Sequence, residues 1–122
     1  MEKPFSIVTP LTEKINNKFK LNQYTILFKI NPIPEEANPV SWVYFVIEEI
    51  IKYFRAQYNP KSDDKIGLLI KNMVEKDIWI PMIKNVDLTP ASIFERIFKI
   101  QQSNTELTFN RAVVIEITHV TI

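Results

Sequence analysis

Residues 39–58 read PVSWVYFVIEEIIKYFRAQY, and they form the longest segment of the chain with helical periodicity. Apolar side chains recur there at short helical intervals, which gathers them on one side of a helix. That apolar side comprises Val43, Val46, Ile47, Ile50, Ile51, Phe54 and Tyr58. An apolar surface of this width has to be covered in a stable protein, so the sequence predicts a sheet packed against the helix.

The segments around this helix alternate apolar and polar residues with the period of a β-strand. The predicted strands centre on residues 24–30, 66–70, 78–83 and 112–121. A second helix is predicted to follow Thr89, with Pro90 at its first position, as Asn38 and Pro39 begin the first helix. Residues 19–122 therefore read as a single domain. Residues 1–18 read as an N-terminal arm that wraps the sheet or as an edge strand.

The predicted order is strand, helix, strand, strand, helix, strand. This order is typical of the ferredoxin-like βαββαβ fold, an α+β arrangement with two helices on one face of a four-stranded antiparallel sheet. Pro81 conflicts with it, because the third strand would be internal and proline offers no hydrogen-bond donor to a neighbouring strand. Either a bulge lies at Pro81 or the strand order differs, so another two-layer α+β sandwich is the alternative.

The composition excludes several classes of protein. The chain has 122 residues, 46% of them hydrophobic, and a formal net charge of +1, which indicates a folded domain without a strongly basic surface. It has no cysteine and one glycine, Gly67, so it has neither disulfides nor a glycine-rich phosphate loop. No run reaches the roughly 18 apolar residues of a membrane span. We predict an intracellular protein that does not bind membranes.

No catalytic constellation is apparent. His119 is the only histidine, and a single histidine near a strand end is more often a surface or core-edge residue than a general base. The adjacent carboxylate pairs, such as Asp63 and Asp64, are interpreted as solvated or helix-capping groups. The sequence predicts no enzyme, no metal site and no cofactor.

The better candidate site is the sheet face that the helices leave uncovered. The strand alternation predicts that this face carries Leu27, Lys29, Lys65, Leu69, Lys71, Trp79 and Ile83. An apolar patch of that size usually contacts a partner, either another protein or a second copy of the chain. A tryptophan among lysines is also found on platforms that stack single-stranded nucleic acid, although such platforms use more than one aromatic residue.

Several segments together resemble a region associated with Maverick/Polinton virus-like mobile elements. They are DKIG (64–67), IWIP (78–81), LTP (88–90), FERI (94–97), QSN (102–104) and IEITHV (115–120). In those elements the similar region lies N-terminal to, or near, a protein-primed family B DNA polymerase. The resemblance implies an accessory domain of a mobile-element replication protein. It also implies that the protein acts in the nucleus. None of the polymerase's catalytic motifs is present in this chain.

Two hypotheses of function follow. The first is a non-enzymatic interaction domain of such a replication protein, which binds a protein partner or itself through the open sheet face. The second is a single-stranded nucleic-acid-binding domain that uses Trp79, Lys29, Lys65 and Lys71 on the same face. A structural spacer without a partner is the third possibility.

Overall fold

The computed structural model of the chain describes residues 4–16, 21–73, 76–102 and 113–121. In chain order the elements are β1 (Phe5–Asn16), β2 (Leu21–Ile30), α1 (Pro39–Tyr58), β3 (Lys65–Met73), β4 (Lys76–Lys84), a short 3-10 helix (Asn85–Asp87), α2 (Pro90–Gln102) and β5 (Val114–Thr121). The start of the last predicted strand, at Ala112, and most of the QSN segment lie outside the described residues. So do residues 74–75 and residues 17–18 of the N-terminal segment.

Both helices begin with the predicted caps. The Asn38 Oδ1 atom accepts hydrogen bonds from the backbone N–H groups of Val40 at 3.0 Å and Ser41 at 3.1 Å, with Pro39 at the first helical position. The Thr89 Oγ1 atom accepts one from the N–H of Ser92 at 3.1 Å. Each cap satisfies amide donors that have no partner within the helix.

Helix α1 also ends where the sequence predicts. Asn59 adopts a left-handed conformation with φ of 41°, and its N–H donates to the Arg55 carbonyl at 3.0 Å. Asparagine tolerates this conformation better than most residues, and Pro60 cannot continue a helix. No helix within the described ranges is long and apolar enough to cross a membrane.

The sheet has five strands in the order β1-β2-β5-β3-β4, and every neighbouring pair is antiparallel. The α+β class is confirmed, but the predicted four-stranded ferredoxin-like topology is not. The strand β5 lies between β2 and β3, and β4 lies at an edge rather than inside the sheet. Residues Phe5–Asn16 form a further strand that pairs with β2 at the other edge.

This strand order and a bulge together account for Pro81. The register pairs Ile66 with Ile83 and Leu68 with Ile80, so Gly67 alone opposes both Pro81 and Met82. One residue facing two is a β-bulge, and proline is found in sheets at bulges and on edge strands. Pro81 therefore lies at a bulge, and the strand order also differs from the predicted one, so both explanations that the sequence left open are correct.

Both helices pack on one face of the sheet. The buried core draws alternate residues from the strands and the apolar sides of α1 and α2. The strand residues in this core are Phe5, Ile26, Phe28, Ile30, Ile66, Leu68, Ile70, Ile78, Ile80, Ile83, Ile115 and Ile117. The residues between them point to the other face, which no described helix covers.

Candidate protein-interaction face

The uncovered side of the sheet, called the open face here, is organised in rows that run across the strands. Cross-strand pairing places Leu27, Glu116, Leu69 and Trp79 side by side from β2 to β4. Neighbouring strands lie about 4.8 Å apart, so this row crosses about 14 Å of the sheet. We call it the central row.

The central row is mainly apolar, and its one charge is compensated. The Glu116 carboxylate lies 3.1 Å from the ammonium group of Lys71, which projects from β3 in the next row. Half-buried side chains of Leu27 and Leu69 flank Glu116 on both sides. The row therefore presents leucine and tryptophan surface with a paired carboxylate at its middle.

Trp79 is the most prominent apolar group of the open face. Its side chain is 46% exposed, and its indole lies over Gly67, the only glycine of the chain. A Cβ atom at Gly67 would stand 2.6 Å from Cη2 of Trp79 and 3.3 Å from Cγ of Met82. Glycine is therefore needed here because a larger residue would overlap the indole, and Met82 lies beside the same position.

Lysines lie on both sides of the central row, one row away toward Lys71 and two rows away toward Lys65. Lys29 and Lys71 lie in one neighbouring row, because both are opposite Val114 of β5. Lys65 and Lys84 are directly paired toward the other end. Lys29, Lys65 and Lys84 are exposed and make no ion pair with any described residue.

The structure places six of the seven predicted face residues on the open face, and it corrects the seventh. Ile83 is only 7% exposed and belongs to the core. Its partner Ile66 is also a core residue. The bulge at Pro81 and Met82 adds one residue to β4, which reverses the alternation beyond it and turns Ile83 inward.

His119 is buried at the core, one of the two positions (surface or core edge) that the sequence left open, whereas Asp64 is buried and not the solvated or helix-capping group that was predicted. His119 is 4% exposed, Asp64 is 6% exposed, and His119 Nε2 lies 2.9 Å from Asp64 Oδ2. The same Asp64 oxygen accepts the Lys61 N–H at 2.7 Å, and the imidazole meets the Phe54 ring edge to face. The pair joins β5 to the loop before β3 beneath the helices, on the side opposite the open face.

A second set of contacts joins the same loop to the segment before α2. Arg55 donates to the carbonyl groups of Asn85 and Leu88, and Asn85 donates through Nδ2 to the Pro60 carbonyl at 3.0 Å. The N–H of Asn85 donates to the Asp64 carbonyl at 3.0 Å. These contacts are consistent with a structural role for the buried pair. Among the residues described, no three histidine or carboxylate groups cluster in a way that could hold a metal ion.

A groove on the outer surface of the helices is a competing site. A shallow apolar groove of about 370 Å³ is lined by Tyr44, Ala91, Phe94, Glu95 and Phe98. Phe98 is 48% exposed, nearly the same as Trp79 on the open face. This similarity makes Phe98 the matched control for experiments on Trp79.

Comparison of the chain with protein-family models, curated proteins and solved structures finds no match.

The contact between Gly67 and Trp79 gives a direct prediction. Gly67→Ala should displace the indole, because the new methyl group would occupy the position of the ring edge. In a Trp42→Phe background, which leaves Trp79 as the only tryptophan, its fluorescence should shift and become easier to quench with acrylamide. We expect a loss of about 1 kcal/mol in the free energy of unfolding.

The control is the same change in a chain that lacks the indole. With Trp79→Ala already present, Gly67→Ala should be neutral or slightly stabilising, since alanine restricts the unfolded chain more than glycine does. An equal loss of stability in both backgrounds would show that the indole does not lie over Gly67.

Proposed function

We propose that this chain is a non-enzymatic interaction domain that binds a protein partner through its open face. The observation that carries the proposal is the half-exposed indole of Trp79, with Met82 beside it, on a sheet face that no described helix covers. Solvent-facing apolar surface of this kind is costly in isolation and is common where proteins bind one another.

The two sheet edges are less suited to binding than the open face. A strand of another chain would have to add to β1 or β4, and both carry a proline, Pro10 and Pro81. Both strands also contain register shifts. Proline and bulges interrupt the row of hydrogen-bonding groups that an added strand requires, and natural proteins use them to prevent edge pairing. A contact through the face is therefore favoured.

The resemblance of the 64–120 segments to Maverick/Polinton replication proteins suggests the setting. We propose that the partner belongs to the replication assembly of a virus-like mobile element, and the chain would then act in the nucleus. The proposal would be supported if the gene that encodes this chain also encoded, or lay beside, a protein-primed family B DNA polymerase.

The test compares Trp79→Asp with Phe98→Asp. Both substitutions place a carboxylate on a half-exposed aromatic position, one on the open face and one on the helix side. Light scattering detects self-association, and affinity capture followed by mass spectrometry detects other partners. We expect Trp79→Asp to lower binding at least about tenfold and Phe98→Asp to leave it unchanged, since loss of a central aromatic residue typically costs 2 kcal/mol or more (roughly 30-fold).

Two results would contradict the proposal. The same partners could be retained by Trp79→Asp but lost with Phe98→Asp, in which case the groove on the helices is the binding site. Alternatively, the wild-type chain could remain a monomer and capture no protein whose binding is lost with Trp79→Asp or Phe98→Asp. Circular dichroism of each variant separates a loss of binding from a loss of folding.

Single-stranded nucleic acid is the second candidate ligand, and one observation favours it. Trp79 is exposed in the same face as Lys29, Lys65 and Lys71, so a base could stack on the indole while lysines contact phosphates. Titration of tryptophan fluorescence with an oligothymidylate at two salt concentrations tests this. Binding that weakens steeply as salt rises, and that Trp79→Asp removes, would favour nucleic acid over protein.

A further inference from the structure

Strand β2 is regular and largely apolar, and without a neighbour it would be an unprotected sheet edge. Its residues Leu21–Ile30 include no proline and a single charged residue, Lys29. It pairs with β5 in an unbroken register from Asn22 to Lys29. Natural edge strands usually carry prolines, bulges or several charges, because a bare row of N–H and C=O groups pairs with strands of other chains. Strand β2 has none of these protections apart from Lys29.

The protections lie instead on β1, which covers this edge of β2. Strand β1 contains Pro10, and its pairing with β2 shifts register twice, on either side of Thr9. It is the outermost strand on that side of the sheet. Proline and register shifts interrupt the hydrogen-bonding groups that a further strand would need. The chain therefore places an irregular strand over a regular one.

One aromatic side chain anchors the start of β1 to the core. Phe5 is 5% exposed, and its ring packs edge to face against Phe28 of β2 and Tyr53 of α1, at centroid distances of 5.3 and 5.9 Å. The next three residues of β1, 6–8, are exposed. In this part of β1, burial of Phe5 therefore adds the side-chain contribution to the backbone pairing with β2.

We propose that β1 is a guard strand, which covers a self-association surface on the edge of β2. When β1 is released, this edge pairs with β2 of a second copy of the chain. The pairing is antiparallel about a two-fold axis, so the sheets of the two copies join edge to edge. This surface is separate from the open face, so the inference does not depend on the proposed function.

The sequence of β2 suits pairing with itself. In a two-fold arrangement centred on Ile26, each residue lies opposite the residue that is equally distant from Ile26 in the other copy. The core residues Ile26 and Phe28 of both copies then lie on one side of the joined sheet. Lys29 lies opposite Gln23, so the one charge of β2 does not meet its own copy, which would be destabilising.

Loss of the anchor tests the proposal. Phe5→Asp places a carboxylate against two aromatic rings and should detach the start of β1. Val8→Asp is the matched control, because Val8 lies on the same strand and is 52% exposed. In light scattering we expect the apparent mass of Phe5→Asp to rise about twofold or more with concentration, and that of Val8→Asp to stay at the wild-type value. Each variant is measured with and without Trp79→Asp, which disrupts the open face.

A reversible disulfide separates release of β1 from loss of folding. Ser6 and Lys29 are exposed cross-strand partners, and the chain has no cysteine, so Ser6→Cys with Lys29→Cys introduces a single possible disulfide. In the Phe5→Asp chain the closed disulfide should prevent association, and dithiothreitol should restore it. Circular dichroism reports folding, and Phe5→Ala repeats the series with a milder loss of the anchor.

Hydrogen exchange identifies the surface through which the copies associate. The backbone amides of β2 should exchange faster in dilute Phe5→Asp than in the wild-type chain, because β1 no longer covers them. They should become protected again when the variant associates at higher concentration. Amides of β2 that stay unprotected in the associated form would overturn the proposal.

The other outcomes separate this inference from the proposed function. Association of Phe5→Asp that persists with Trp79→Asp and stops when the disulfide is closed supports the guard strand. Folded Phe5→Asp and Phe5→Ala chains that stay monomeric overturn it, and so does association that continues with the disulfide closed. Association that Trp79→Asp abolishes also overturns it and assigns the contact to the open face. If Phe5→Asp unfolds, the same outcomes are applied to Phe5→Ala.

Discussion

Replacing Asp64 with alanine is expected to lower the free energy of unfolding by about 3 kcal/mol, because it breaks a buried polar pair. The substitution removes the acceptor that lies 2.9 Å from His119 Nε2 and 2.7 Å from the Lys61 amide. Buried groups that lose their partner bear the full cost of their lost hydration. Urea denaturation followed by circular dichroism measures the change.

The neighbouring carboxylate is the control for this substitution. Asp63 is exposed, and Asp63→Ala should change stability by less than about 0.5 kcal/mol. A double-mutant cycle with His119→Ala should give a coupling energy of at least about 1 kcal/mol, because the two side chains interact directly. Additive effects of Asp64→Ala and His119→Ala would show that the pair is not formed.

Replacing Phe54 with alanine is expected to cost about 3–5 kcal/mol, the range for a large side chain lost from a packed core. Phe54 is fully buried at 0% exposed and contacts the rings of Tyr58 and His119. It therefore connects α1 to β5 through the buried pair. The measurement is the midpoint and slope of urea denaturation, together with thermal unfolding.

Phe98→Ala is the matched substitution in α2. Phe98 has the same chemistry but is half exposed, so its removal should cost less than about 1 kcal/mol. Comparable losses at Phe54 and Phe98 would contradict the packing described here. A partially folded product of Phe54→Ala would support the role of α1 as the element that the sheet is packed against.

Local patterns in the sequence were sufficient to predict the helices and the faces of most strands. Asn38, Pro39, Thr89 and Pro90 mark the helix starts because capping depends on residues close in sequence. Period-two alternation correctly assigned Leu27, Leu69 and Trp79 to one face, because side-chain direction in a strand is also local.

The strand order could not be predicted in the same way. A strand buried on one side has the same alternation at the centre or at the edge of an antiparallel sheet. The alternation in β4 and β5 therefore did not indicate which of the two strands lies inside the sheet. Pro81 was the one residue that indicated an edge or a bulge, and the structure has both. The bulge also explains the error at Ile83, because one added residue reverses every later side chain.

The buried pair was missed for a different reason. Asp64 and His119 are separated by 55 residues, and their proximity depends on β5 lying next to β3. In the predicted fold the last strand would not have had that neighbour. Neither residue stands out locally, since aspartate before a strand and histidine near a strand end are usually solvated.

The helices pack on one side of the sheet, and no described helix covers the other side. Because the chain has no cysteine, a single introduced thiol reports the accessibility of its position. The variants Met82→Cys on the open face, Ile80→Cys on the helix side of the same strand, and Gln57→Cys on the outside of α1 are compared by their rates of alkylation under native conditions. We predict that the thiols of Met82→Cys and Gln57→Cys react at similar rates and that the thiol of Ile80→Cys reacts only on unfolding. Protection of Met82→Cys in the free chain, to the level of Ile80→Cys, would contradict the account.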